Sequence, residues 1–196
     1  MNGKGEARDL ALSVLAEQPS AGQFAEPIDY LFAEHFRQRT LCAVIDVIAD
    51  DTRCDAECIA AVLRFLREDF GPHVLDEEED LFPLLRRRAE PEDRIEEVLG
   101  ELSQEHAADK RDVGTIVEGL SRSESGRAPS PSLRKLLHRF AANERHHLTV
   151  ENAIVLPLAR VRLTADDKRV LGRRMAARRG IELAGASGDA VRAAKP

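Results

Sequence analysis

The sequence has few aromatic residues, with no tryptophan, one tyrosine and seven phenylalanines among its 196 residues. Apolar residues still make up 43% of the chain and charged residues 33%, a balance that is ordinary for a folded globular protein and too apolar for a disordered one. Aliphatic residues interleaved with charges, with few aromatic or β-branched runs, favour helices over sheets. We therefore expect an all-α protein.

Long hydrophobic runs and an excess of positive charge are also missing. No stretch of about 18 apolar residues is available to span a bilayer, and the first ten residues, MNGKGEARDL, lack the apolar core of a secretory signal. The net charge is −6, with acids and bases mixed along the chain, so no face is built to grip phosphates. We expect a cytoplasmic protein that contacts neither membrane nor nucleic acid, and we interpret the basic stretch 173–179 as a solvated helix end.

Cysteine is scarce, with three residues at Cys42, Cys54 and Cys58. An odd number without a CxxC pair predicts no disulfide framework in a reducing compartment. Cys54 and Cys58 would lie one turn apart on a helix and could share a metal ion. A soft site usually needs four such ligands, however, and no others lie nearby.

Apolar residues recur with a helical period, and no segment alternates with period two. Pro27, Pro91 and Pro131 stand where proline is best tolerated, at the start of predicted long helices, and Pro72 should kink one helix. Four long helices with short connections predict an up-down-up-down four-helix bundle. The predicted segments are a flexible N-terminal lead-in (1–26), the bundle (27–160, with helices over 27–50, 55–88, 91–120 and 131–160), an additional short C-terminal helix (161–180) and a disordered tail (181–196).

Each of the four long helices places one histidine on its apolar face. In the second and fourth helices a glutamate follows four residues after the histidine and a proline follows ten residues after it; in the first and third, a glutamate directly precedes the histidine. These repeats suggest two helix pairs related by an internal pseudo-twofold. The residues are His35 and His106, preceded by Glu34 and Glu105, and His73 and His147, followed by Glu77 and Glu151 and then by Pro83 and Pro157.

This spacing predicts a metal site. Residues four apart lie on one helix face with Cβ atoms about 6 Å apart, so a histidine and a glutamate there can ligate one ion or bridge two. A carboxylate buried in an apolar core costs several kcal/mol, and a bound cation removes that penalty. Four histidines and two glutamates suit iron, manganese or zinc. Six ligands from four helices would crowd a single ion, which favours a pair.

Single histidines on an apolar face are more often hydrogen-bonded core residues, but four matching positions make that interpretation weak for the set. His138 and His146 lie off the apolar stripes, and we expect them at the surface, with His146 as an alternative to His147. Glu34 and Glu105 should point away from the core and form ion pairs at the surface.

Four further acidic residues are candidates of lower weight. Glu78, Glu79 and Asp80 should form a solvated face, although one of them could be an extra ligand. Glu144 lies on the apolar stripe one turn before His147. It could be an extra ligand or a hydrogen-bond acceptor for one.

These pieces resemble the hemerythrin-like family, also called the HHE cation-binding domain, over residues 27–160. The resemblance rests on the two H-x3-E elements running into LFP (81–83) and VLP (155–157) and on the two Glu-His pairs. It implies an oxo- or hydroxo-bridged pair of non-haem iron ions. The implied terminal ligands are His35, His73, His106 and His147, and the implied bridging carboxylates are Glu77 and Glu151.

The chain departs from the oxygen-carrying hemerythrins, which have a further histidine one turn after the histidine of the third helix. That position is Lys110 here, and the same offset from His35 is Arg39. Both side chains are expected to be exposed, although folded inward they could stabilise bound peroxide or superoxide. The pattern is more similar to the branch linked to nitric-oxide response, iron-centre repair, or iron and oxygen sensing.

We therefore predict a protein that binds O2 or NO at a centre of four histidines and two glutamates, in sensing, stress response or iron-centre repair. Two alternatives stay open. One is a di-iron enzyme that decomposes peroxide, as a catalase does, and the other is an iron storage or sensing protein whose fifth helix or tail contacts a partner. Either a monomer or a homodimer is compatible with the sequence.

Overall fold

A computed structural model of the chain describes residues 3–52, 55–123 and 128–183. Within these ranges the regular structure is helical, without strands, so the predicted all-α class is confirmed. None of the helices described there is long and apolar enough to cross a membrane. The suggested thiolate pair includes Cys54, which lies outside the described residues, as does the predicted tail beyond residue 183.

Nine α-helices follow one another in the part of the chain that the structure describes. Side-chain hydrogen bonds cap the N-termini of several helices. The Asp55 carboxylate accepts hydrogen bonds from the backbone N–H groups of Glu57 and Cys58, and the Ser130 hydroxyl accepts one from Leu133. Thr164 forms a capping box with Asp167. The bounds are α1 Gly3–Ala16, α2 Pro27–Asp50, α3 Ala56–Glu68, α4 Phe70–Leu75, α5 Phe82–Arg88, α6 Ile95–Ser121, α7 Pro131–Val150, α8 Leu156–Arg162 and α9 Ala165–Arg178.

Two π-helical segments connect helices that the sequence predicts as continuous. In each, a backbone N–H reaches the carbonyl five residues back: Phe82 donates to Glu77, and Leu156 donates to Glu151. The residue after Phe82 and after Leu156 is proline, which has no N–H and whose ring collides with the carbonyl four residues back. The helix widens by one residue to relieve that clash. The first π segment is Asp76–Leu81, between α4 and α5, and the second π segment is Glu151–Val155, between α7 and α8.

Contacts between helices give their relative directions. Arg39 contacts Thr149, whereas Asp46, further along α2, contacts Arg145, earlier in α7. The two helices are therefore antiparallel. By the same kind of contact, α6 is antiparallel to α7, and the segment from α3 to α5 is antiparallel to α6.

Two apolar clusters fill opposite ends of the interior. One contains the second half of α2, α3, the end of α6 and the first half of α7, with Ile45, Phe65 and Phe140 buried in it. The other contains the start of α2, α5, the start of α6 and α8, with Leu31 and Phe82 buried in it. The predicted metal ligands lie between the two clusters.

Residues 3–16, within the segment expected to be a flexible lead-in (1–26), form the helix α1. Leu15 is fully buried in the first apolar cluster, and Arg8 pairs with Asp55 at 2.5 Å. Phe24, in the short 3-10 helix that follows α1, is also buried. Apolar side chains at helical spacing bury this segment against α2 and α3.

The C-terminal helix α9 extends the second apolar cluster rather than lying loosely outside it. Leu171, Met175 and Ala176 are fully buried there. At Gly172 an added Cβ would lie 2.0 Å from the carbonyl oxygen of Phe24. Only glycine permits this close approach between α9 and the segment before α2.

Candidate metal centre

The structure brings all six predicted ligand residues together in the interior, each at most 5% exposed. The four helices that carry them converge between the two apolar clusters. The glutamates stand in the π segments: Glu77 is the second residue of the first, and Glu151 begins the second. A π turn moves the side chains after it around the helix axis, which is one reason such turns occur at functional sites. The remaining members are His35 on α2, His73 on α4, His106 on α6 and His147 on α7.

The six residues form two groups that share both glutamates. Within each group, one ligand atom from each residue lies within 4.8 Å of the others. The histidines divide as the predicted pseudo-twofold requires, with one helix pair in each group. The first cluster consists of His35, His73, Glu77 and Glu151, and the second cluster consists of Glu77, His106, His147 and Glu151.

Each shared carboxylate presents one oxygen to each cluster. Glu77 Oε1 lies 3.5 Å from Nε2 of His35 and 3.3 Å from Nε2 of His73, whereas its Oε2 lies 3.4 Å from Nε2 of His106. Glu151 Oε2 lies 3.4 Å from Nε2 of His35, and its Oε1 lies 3.3 Å from Nε2 of His147. This is the arrangement that a carboxylate needs to bridge two ions.

The donor atoms fit metal ions. Both carboxylate oxygens of Glu77 and of Glu151, and Nε2 of His35 and His106, are buried without a hydrogen-bond partner in the described part of the chain. Leaving such groups unpaired costs several kcal/mol, more for charged groups. Two donors at about 2.1 Å from one ion lie about 3.0–3.4 Å apart at ordinary coordination angles, close to the observed nitrogen-to-oxygen separations.

In the second cluster, both histidines bond to a carboxylate through the nitrogen that faces away from the centre. Nδ1 of His106 lies 2.7 Å from an oxygen of Glu78, and Nδ1 of His147 lies 2.8 Å from an oxygen of Glu105. An ionised carboxylate only accepts hydrogen bonds, so Nδ1 carries the proton in both rings. Nε2, which faces the cluster, is therefore the nitrogen of each ring that could bind a metal ion in exchange for its proton.

In the first cluster, the support behind the rings is weaker. Nδ1 of His35 lies 2.8 Å from the amide oxygen of Asn152, a neutral partner. Nδ1 of His73 is buried, and no acceptor for it lies among the described residues. The two clusters thus have equivalent predicted ligands and different surroundings.

The buried histidines and carboxylates of the site shift one another's pKa values. Burial by itself lowers the pKa of His106 and His147, but the carboxylates around them raise it to about 10 and about 11. Burial also lowers the pKa of His73, but the Glu77 carboxylate beside it raises that pKa to about 9. The neighbouring histidines in turn hold the pKa of Glu77 well below its usual range, although burial opposes this.

Two glutamates that we expected at the surface contact predicted ligand histidines from outside the centre. Glu78 and Glu105 are 30% and 43% exposed, yet both accept from a predicted ligand histidine. The reason is that Nδ1 of a core histidine projects toward the helix edge, where a neighbouring side chain can reach it. The expectation that Glu34 forms an ion pair at the surface is also wrong, because its ion pair with Arg37, at 2.8 Å, is buried.

Arginines of the C-terminal helix hold the first π segment. Asp76 and Asp80, on either side of the Glu77 turn, are buried, so the expectation of a solvated face at Asp80 is wrong. Arg179 lies 2.7 Å from Asp76, and Arg178 pairs with Asp76 and lies 2.9 Å from Asp80. These pairs neutralise two buried carboxylates beside a predicted ligand. The basic stretch is therefore not simply a solvated helix end.

Several peripheral residues stand as expected. His138 is half-exposed and contacts the carboxylates of Asp46 and Asp50, and His146 is exposed. Lys110 and Arg39 are exposed too. Neither basic side chain therefore lies where it could contact a ligand in the interior.

A layer of polar residues one turn from the histidines was not singled out by sequence reasoning, apart from Glu144. Gln38, Asp109 and Glu144 are buried, and Glu144 belongs to neither cluster. Burial raises the pKa of Asp109 to about 6 and that of Glu144 to about 7, against the opposing effect of nearby His147. Each of these residues stands three positions from a predicted ligand histidine, and this spacing was the sequence signal that could have placed them beside the site.

Together, the helices and the two buried histidine and glutamate groups define a helical protein with a site that could hold metal ions. The chain belongs to the hemerythrin HHE cation-binding domain family, whose family model matches residues 26–159. This confirms the resemblance inferred from the motifs. No match was found among curated proteins.

Proposed function

We propose that the chain is a non-haem di-iron protein that binds O2 or NO in sensing, stress response or iron-centre repair. The observation that carries the proposal is the pair of buried clusters that share Glu77 and Glu151. In this arrangement, His35 and His73 would hold one ion, and His106 and His147 would hold the other.

The scaffold of the proposal is an up-down-up-down four-helix bundle over residues 27–160, supported by the antiparallel contacts of α2, α6 and α7. Rigid helices fix the ligand positions, and the two apolar clusters exclude water from the site. Bound iron would supply an open coordination position and reversible redox chemistry. Manganese or zinc would satisfy the same donor set.

The residue one turn after His106 supports sensing over oxygen carriage. Lys110 stands there and is exposed, so the second cluster has two histidines, as the first has. The chain thus lacks the further histidine of the oxygen-carrying hemerythrins, which weighs against a dedicated oxygen carrier.

Metal analysis and spectroscopy test the proposal. The full chain is purified anaerobically, its iron, manganese and zinc are quantified, and its absorption spectrum is recorded before and after addition of O2 or NO. We expect two iron ions per chain and a stoichiometric adduct. One ion or none would contradict the proposal. Sustained oxygen evolution from hydrogen peroxide would favour the peroxide-decomposing enzyme instead.

A further inference from the structure

Three buried polar residues form a layer beside the two clusters. Each stands three residues from a predicted ligand histidine on its own helix, so it lies on the same helix face one turn away. We call this set the polar layer. Its members are Gln38 on α2, Asp109 on α6 and Glu144 on α7.

All three members of the polar layer lie on the same side of the clusters. Gln38 and Asp109 follow their histidines along α2 and α6, whereas Glu144 precedes its histidine along α7, which runs the opposite way. All three therefore stand toward the same end of the molecule. The influence of Asp109 and His147 on the charge of Glu144 agrees with this placement.

On the other side of the clusters, the inward-facing residues that the structure describes one turn away are apolar. The residues one turn away in that direction, four positions from a predicted ligand, are aliphatic and at most 1% exposed. They offer no hydrogen-bond donor to anything held at the centre. They are Leu31, Leu81, Leu102 and Val155.

Gln38 is the member of the polar layer that most clearly needs a partner. Its side chain is 1% exposed, and neither its amide nitrogen nor its amide oxygen has a hydrogen-bond partner in the described residues. An unpaired buried polar group is costly, and buried groups without partners are rare in folded proteins. A leucine or methionine would fill the same volume without that cost.

We propose that the polar layer is the wall against which the centre holds its small ligand, with the Gln38 side-chain N–H as the hydrogen-bond donor. The inference rests on the proposed function and adds the side of the centre on which the ligand is held. The ligands that this wall would favour are small anions, and diatomic molecules whose atom farther from iron gains negative charge on binding. Such an atom is stabilised by an N–H donor and finds none among the aliphatic residues opposite.

Sodium azide is the probe for this pocket, because it is a small anion whose binding to oxidised iron changes the absorption spectrum. The iron-loaded, oxidised full chain is titrated with azide, alongside Gln38→Leu and, as the matched control from the apolar side, Leu102→Met. Iron content and thermal stability are measured for all three proteins.

Removal of one hydrogen bond to a charged ligand should raise the azide Kd of Gln38→Leu about tenfold to hundredfold. Its iron content should equal that of the wild type, and its melting temperature should be the same or higher, because an unpaired amide is gone. Leu102→Met should bind azide within about twofold of the wild type, since the volume of the side chain is kept.

Unchanged azide affinity in Gln38→Leu would overturn the inference, and so would an equal loss in Leu102→Met. Loss of iron from Gln38→Leu would also overturn it, because Gln38 would then act in holding the ions. If the wild-type chain binds two irons but no azide, the proposed ligand pocket is contradicted, whereas the proposed function is not. A wild-type chain that binds no iron would overturn both.

Discussion

The first and second clusters consist of the same kinds of predicted ligand, but different residues support them. Each has two histidines, and both share Glu77 and Glu151. Behind the second cluster, both rings bond to carboxylates, whereas behind the first, one ring bonds to a neutral amide and the other ring has no acceptor in the described residues. A carboxylate behind an imidazole makes it a stronger electron donor. We therefore expect the second cluster to bind a metal ion more tightly than the first.

The two π segments differ in the same way. The first, which carries Glu77, is held through Asp76 and Asp80 by Arg178 at the end of α9 and by Arg179, which follows it. The second, which carries Glu151, is joined to α2 through the bond between Asn152 and His35. A repeated ligand motif thus sits in two unequal environments. The comparison predicts which substitutions affect both ions and which affect only one.

Loss of a shared carboxylate should have the largest effect. Glu77→Ala or Glu151→Ala removes an oxygen from both clusters and leaves the histidine charges without a partner. We expect either variant to lose most of its metal from both positions, as measured by elemental analysis of the purified protein. Full occupancy of one position in either variant would contradict the shared arrangement.

Loss of the carboxylates behind the second cluster should affect one ion. Glu78→Ala and Glu105→Ala should each weaken metal binding at the second cluster by about tenfold to hundredfold. In a competition titration against a chromophoric chelator, we expect two unequal binding steps in the wild type and more similar steps in these variants. Glu79→Ala is the matched control, because Glu79 is exposed and pairs with Arg178. Asn152→Ala should weaken the other step.

Loss of an arginine that holds the first π segment should have an intermediate effect. Arg178→Ala removes a partner from two buried carboxylates and should lower the free energy of unfolding by roughly 2–3 kcal/mol. It should also speed metal release to a chelator, because the turn that carries Glu77 is less restrained. Arg173→Ala, on the exposed side of α9, should change neither quantity. Equal release rates in the two variants would remove the positioning role of α9.

The smallest effect is expected at the histidine outside both clusters. His138→Ala breaks half-exposed contacts with Asp46 and Asp50 and should cost less than about 1 kcal/mol in stability. Its metal content should match that of the wild type. A large loss of metal in this variant would mean that the ligand set is wrongly assigned.

The sequence was sufficient to predict the helical class and the candidate ligands, because both depend on local spacing. A histidine and a glutamate four residues apart share a helix face wherever the helix lies. The π segments were not predicted, although Pro83 and Pro157, each six residues after a candidate ligand, carried the signal. A proline can end, kink or widen a helix, and the neighbouring helices select among these outcomes.

The chain's own residues determined which side chains could ligate a metal, through the repeated histidine, glutamate and proline positions. Tertiary structure decided the surroundings: the carboxylates behind His106 and His147, the arginines of α9 on the first π segment, and the burial of Gln38. Periodicity gives the direction of a side chain around its own helix axis. The partner that it meets depends on the register between helices distant in sequence, which no local pattern contains.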